Sequence, residues 1–122
     1  MTVEGECYRI TWDQAAGIVR IDWLPGAEVG IEEARLVDEE IRSLHRGDVR
    51  LLVDLRDAAS FDRSARELFM GLDTGYRAVA LLAGSPATRM LANFFLGLKR
   101  IETPVQMFTA ESEGVAWLQA QT

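Results

Sequence analysis

The chain has a single cysteine, Cys7, and a single histidine, His45. One cysteine excludes an internal disulfide, and one histidine removes the usual second partner for a metal site or a catalytic triad. No apolar run approaches the roughly 18 uninterrupted residues a membrane span needs, and Met1-Thr2-Val3-Glu4 opens no signal peptide. The expectation is therefore a soluble, cytoplasmic protein. Basic residues are also few: 19 carboxylates face 13 cations, for a net charge of -6. That balance argues against nucleic-acid binding and against an anionic membrane surface, both of which need a basic face. All the cations except Lys99 are arginines, which reads as genome composition rather than chemistry. No Gly-rich phosphate loop and no Asp-x-Asp-x-Thr run is present, and no cofactor or metal is expected.

What is there is the pattern of a folded α/β chain. At 122 residues, 48% hydrophobic and 26% charged, it fits one domain over residues 1–122 with a real core. Tyr8 to Trp12 and Val19 to Trp23 each alternate apolar and polar around Asp13–Gly17, which predicts a β-hairpin with one half-buried face. Pro25-Gly26 stops the second strand. Ile31, Ala34, Val37, Ile41 and Leu44 then recur at helical spacing up to Gly47, the expected C-terminal cap, with Glu32, Glu33, Asp38, Glu39 and Glu40 toward water.

Leu51 to Leu55, an apolar run broken by the single Asp54, and the continuous apolar run Ala78 to Leu82 suit strands covered on both faces. Between them lies a helix carrying Ala65, Leu68, Phe69 and Leu72. Ser85-Pro86 opens a third helix with a cap and a proline at its first position. Val105 to Phe108 is a fifth strand, and Thr109 is the expected cap of a last helix through Val115 and Leu118. The order ββαβαβαβα predicts a mixed five-stranded sheet with four main helices and parallel central strands. Ligands and partners of such sheets meet the loops at the carboxyl ends of the strands, here Asp54 to Arg63 and Gly84 to Pro86.

The first of those loops leads into Ser64, which supports two readings. Ser64-Ala65-Arg66-Glu67 has the form of a capping box, the hydroxyl accepting from a backbone amide while Glu67 reaches back. Equally, a phosphate on Ser64 would sit at a helix N-terminus beside Arg63 and Arg66, with Asp62 opposing it. Asp54, Asp57 and Asp62 gather carboxylates near one strand end; rather than a cation pocket, Asp57 and Asp62 are read as turn and cap residues and Asp54 as satisfied by backbone amides. His45 fits the end of the first helix as a complement to its dipole, and Cys7 fits the start of an edge-like strand.

On the third helix Ala87, Leu91, Phe94, Phe95 and Leu98 form the expected core stripe, leaving Arg89, Asn93, Leu96 and Arg100 on the far side. Asn93 and Gly97, one turn apart beside Met90, with Leu96, mark a candidate contact with another chain or a ligand. The hairpin edge and the Leu96 face are the candidate self-contacts of a homodimer. Phe61, Phe69 and Phe94 are candidates to line an apolar pocket.

The order of elements, with VDLRDAASFDRSARELF after the third strand, resembles the STAS domain of anti-sigma-factor antagonists and sulfate-transporter tails, the SpoIIAA-like fold. In that family a strand ending in Asp-Leu leads to Asp-Ser-Ser-Gly at the start of the second helix. Asp54-Leu55 matches the strand end, and Asp62-Arg63-Ser64-Ala65 falls at the motif, with Arg63 and Ala65 departing from it. AGSPATRMLANFFLGLKRIETPVQMFTAESEGVAWL is similar to the family's third helix, last strand and final helix. The resemblance implies a non-enzymatic regulatory module that docks a protein partner, such as an anti-sigma-type ATPase kinase. Asp57, Asp62, Arg63, Ser64 and Arg66 would form the partner-binding face, with Ser64 as the phosphorylation site. The sequence also resembles STAS/SEC14-type relatives, which implies as the alternative a carrier or sensor of a small apolar or lipid-like ligand.

Overall fold

A computed structural model of the chain describes residues 2–44, 49–70, 76–96 and 103–121 and, for positions 44, 69, 70, 91 and 94–96, the backbone only. The alternating segments form β2 (Tyr8–Asp13) and β3 (Ile18–Trp23), an antiparallel hairpin in which Ile10 pairs with Ile21. Its turn places Gly17 at φ 71°, a left-handed conformation that a side chain would strain. The two apolar runs form β5 (Arg50–Asp54), which ends on the single aspartate, and β7 (Ala78–Leu82), parallel to β3 and to each other, and β8 (Val105–Phe108) adds in parallel beside β7.

The five strands expected are thus present, and a sixth joins them. Strand β1 (Thr2–Glu4) pairs antiparallel with β2, giving the order β1-β2-β3-β5-β7-β8. Its three residues are too few to show a period. The chain turns back through Gly5, where a Cβ would collide with the ring of Tyr8. Because β1 covers the outer side of β2, the hairpin edge expected as a self-contact is not an edge. A separate two-stranded sheet pairs β4 (Glu28–Val29) with β6 (Ser60–Phe61) in parallel, Val29 against Phe61.

Period-two alternation sends successive side chains to opposite faces, so the central strands feed two cores. Val19, Ile21, Trp23, Leu51, Val53, Val79 and Leu81 face the first core. It is closed by Ala34, Val37 and Ile41 of α1 (Ile31–Leu44), Ala65 and Leu68 of α2 (Arg63–Met70), and Ala92 of α3 (Pro86–Leu96). Ile18, Leu52, Ala78, Ala80 and Leu82 face the other way and meet Leu118, Val115 and Trp117 of α4 (Glu111–Ala120). Leu118 is fully buried, which is worth about 2–3 kcal/mol of transfer free energy. Gly114 lets α4 approach closely, since a Cβ there would lie 3.3 Å from Leu82 Cδ2 and 3.5 Å from Leu52 Cδ1.

Two details of the helices differ from expectation. Ser85 caps α3, its Oγ accepting from the Thr88 amide at 3.1 Å while Thr88 Oγ1 accepts from the amides of Gly84 and Ser85. This reciprocal cap turns Thr88 inward: Thr88 and Ala92 are buried and Ala87, expected in the core stripe, is exposed, while the side chains of Leu91, Phe94 and Phe95 and all of Leu98 lie outside the described residues. Thr109 does not cap α4. The N-cap is Ala110, which offers no side-chain acceptor, and Glu111 and Glu113 complement the first turn by charge instead. Gly47 and Leu72 lie outside the described residues.

Candidate functional site

The small sheet decides how α2 begins. The Asp62 amide donates to Val29 O at 2.9 Å, which ties Asp62 to β4 just past the end of β6. Its Oδ1 then accepts from the Ala65 amide at 2.8 Å, the third N–H of the helix, while its carbonyl accepts from Arg66 N. Asp62 is therefore the N-cap, and the capping box read at Ser64 is corrected. Ser64 lies within the first turn, one position past the start of α2, and is exposed. Glu67 does not reach back to Ser64. It pairs with Arg63 Nε at 2.9 Å, both side chains largely in water, a contact of little energetic weight.

The rest of the loop is sewn to the segment before α1. Gly26 N donates to Asp57 O, and the amides of Ala59 and Ser60 both donate to Ala27 O. Asp57 is exposed on this turn, and Asp62, Arg63 and Ser64 are exposed beside it on α2. Arg66 is half-buried and engaged in contacts of its own, so Arg63 is the cation that faces water next to Ser64. Val29 and Phe61 being in register, α1 and α2 start side by side. At Gly30 a Cβ would lie 3.3 Å from both Asp62 Oδ2 and Glu33 Oε2.

Asp54 does not join these carboxylates. It is buried on the face that α4 partly covers, and accepts from the Arg56 amide at 3.0 Å, from Arg56 Nε at 2.9 Å and from Arg56 Nη2 at 2.8 Å. Arg20 reaches it at 3.5 Å, binds Asp22 at 2.8 Å, and also meets Glu111 at the start of α4. Burial pushes the Asp54 carboxyl up, but the hydrogen bonds from Arg56 and the charges of Arg56 and Arg20 outweigh it and hold the carboxyl below the usual range. Among the described residues no group of three or more His, Cys, Asp or Glu is placed to hold a metal ion.

Sequence reasoning missed this ion-pair network. Its only local signal was the polar pair Arg20 and Asp22 on one face of an otherwise apolar strand. At the other end of the same helix, Arg50 donates to Leu118 O at 2.8 Å and to Gln121 O at 2.6 Å.

The remaining candidates are dispersed. Met90 is 73% exposed and Asn93 is exposed three residues on, so both look outward from α3. Leu96 is described by its backbone alone, and Gly97 and His45 lie outside the described residues. Phe61 is buried in an edge-to-face contact with Trp23, ring centroids 5.1 Å apart at 81°, so it is core. The side chains of Phe69 and Phe94 are outside the described set. Cys7 is half-buried, and burial together with Glu33 and Glu6 pushes its thiol up, away from a reactive thiolate.

A mixed sheet with three helices on one face and one on the other places the molecule in the SpoIIAA-like class. It is similar to an uncharacterised protein from the DUF3478 family with a SpoIIAA-like fold from Shewanella loihica PV-4, over 91% of each chain, with a TM-score of 0.65 and 15% identity. The chain belongs to the family described as Domain of unknown function (DUF7793), whose model matches residues 11–122. A protein with unknown function from Arthrobacter sp. FB24 is 33% identical over 91% of this chain and 98% of its own, with a TM-score of 0.35. No functionally curated protein matches the chain. Among the described residues no helix is long and apolar enough to cross a membrane.

Proposed function

We propose that this chain is a regulatory protein-interaction module that acts by binding rather than by catalysis, and that its docking face is the loop and helix start from Asp57 to Arg66. The observation that carries the reading is the separation of cap from serine. Asp62 caps α2, so Ser64 is exposed on the first turn and is not the residue that caps the helix. A phosphate there would add up to two negative charges near the positive end of the helix dipole. Arg63 would leave its weak, solvated pair with Glu67 to meet it, while Asp62 opposes it. The surface charge of the face would change without unfolding α2, which is what a partner-docking switch needs.

A non-enzymatic role is further supported by the raised Cys7 thiol and by an Asp54 carboxylate committed to two arginines. Phe61, assigned by the alternative reading to an apolar ligand pocket, is already packed against Trp23, which favours the docking face.

Mass spectrometry on the protein captured from its native cells tests the proposal, reading phosphate at Ser64 and co-captured proteins together. The expected result is phosphate at Ser64 with an ATPase-type kinase in the eluate, and loss of both the phosphate and its effect on partner binding in Ser64→Ala. An unmodified Ser64 across growth and stress conditions, with partner binding indifferent to Ser64→Asp, would refute it.

A further inference from the structure

The hydrogen-bonding parity of β8 singles out a second surface. Val79 N donates to Pro104 O at 2.9 Å and Ala83 N to Phe108 O at 3.0 Å. In a parallel ladder alternate residues turn both backbone groups to the same neighbour, so Pro104, Gln106 and Phe108 face β7. Val105 and Met107 therefore present their N–H and C=O groups to the outer side, and among the described residues β8 ends the sheet there.

Edge strands are ordinarily blunted by charge. At the opposite edge β1 carries Glu4, paired with Arg9 at 3.0 Å, and Glu6 follows. Along β8 the run from Thr103 to Ala110 has no charged residue, in a chain whose net charge is -6. Two copies that each carry a net charge of -6 repel one another, and this uncharged strand is a place where they can approach at less cost.

We propose that β8 is a homodimer interface, formed by antiparallel pairing with a second copy about a two-fold axis through Gln106. Only outward-facing residues can exchange ladder bonds, which means Val105 and Met107. Centring the pair on Gln106 sets Val105 opposite the partner copy's Met107 and Met107 opposite its Val105, so all the outward groups of the strand are satisfied. The two sheets of six strands become one continuous sheet. Val105 and Met107, already packed against the first core, extend that apolar side across the axis. Exposed Gln106 meets Gln106 on the other face, where their amides bond to each other. The docking face on α2 belongs to another element, so this interface stands independently of the function proposed above.

Charge variants at the axis give the test. Sedimentation velocity of the wild type over about 1–500 μM is expected to show a monomer–dimer equilibrium. Gln106→Glu and Gln106→Lys each set like charges opposite one another, and each raises the dimer dissociation constant about tenfold or more. Mixing the two variants restores the dimer, because residue 106 of one copy meets residue 106 of the other and Glu then faces Lys. Gln106 is exposed, so at protein concentrations low enough for the wild type to be monomeric both variants keep its urea midpoint, which separates lost pairing from lost folding. A wild type that stays monomeric, a dimer indifferent to charge at 106, or a mixture that fails to recover would each overturn the proposal. So would a monomer that takes up an extended peptide from another protein at this edge.

Discussion

Removing the Asp62 carboxylate tests the assignment on which the proposed switch depends. The Asp62 side chain satisfies one otherwise open amide of α2, Ala65 N, at 2.8 Å, and loss of such a cap costs about 1 kcal/mol. Its negative charge at the helix N-terminus contributes about 0.3–1 kcal/mol more. Asp62→Ala is therefore expected to cost about 1.5 kcal/mol, while Asp62→Asn, which keeps the acceptor and loses the charge, costs about 0.5 kcal/mol. Ser64→Ala removes no cap and replaces serine by a better helix former, so its effect lies between zero and a gain of about 0.4 kcal/mol. With a urea slope of about 1.5 kcal/mol per M for a chain of this size, Asp62→Ala lowers the midpoint by about 1 M. Ser64→Ala leaves the midpoint unchanged or slightly raised. The reasoning is refuted if Ser64→Ala destabilises as much as Asp62→Ala, because the serine would then be holding the helix and its modification would compete with folding.

The ion-pair network yields a pH prediction of definite sign. The folded carboxyl of Asp54 is held below its ordinary value, so its stabilising contribution is present above the unfolded aspartate pKa of about 3.9 and is lost as pH falls through the folded value. Asp54→Asn, which leaves Arg20 and Arg56 facing a neutral amide, costs about 2 kcal/mol at pH 7, discounted for the partial exposure of both arginines. Urea midpoints of wild type and variant should converge as pH is lowered below about 4, and a constant gap would disprove the assignment. Arg50→Ala removes two charge-assisted bonds from the C-terminal end of α4, at an expected cost of about 2 kcal/mol. Hydrogen exchange should show the last turn of α4 opening faster, with the first turn, tied by Glu111 to Arg20, much less affected. Equal loosening of both ends would contradict the two-point attachment.

How far the fold was legible depends on the range over which each signal acts. Strand alternation at Tyr8 to Trp12 and Val19 to Trp23, the helical spacing of Ala34, Val37 and Ile41, and the Ser85-Pro86 start are contests settled within a few residues of chain. Those elements stand where the sequence placed them. The two-residue strands β4 and β6 have no period to read, and β1 is too short for one.

The candidate site was half legible for the same reason. Its loop and its exposed Asp57, Asp62, Arg63 and Ser64 follow from local sequence. Which of Asp62 and Ser64 caps the helix was decided by Val29, whose carbonyl ties Asp62 to the small sheet. At Asp54 the sequence showed an acid at a strand end, but not that Arg20 would join Arg56 around it, with Glu111 meeting both arginines. The sequence by itself determined the order of elements and which faces are apolar, because backbone sterics and side-chain period act locally. Tertiary structure alone decided the cap of α2, the partners of Asp54 and the clamp on α4, where Arg50 meets Leu118 from 68 residues away. No local pattern records such a pairing, because it exists only once the sheet has brought distant segments together.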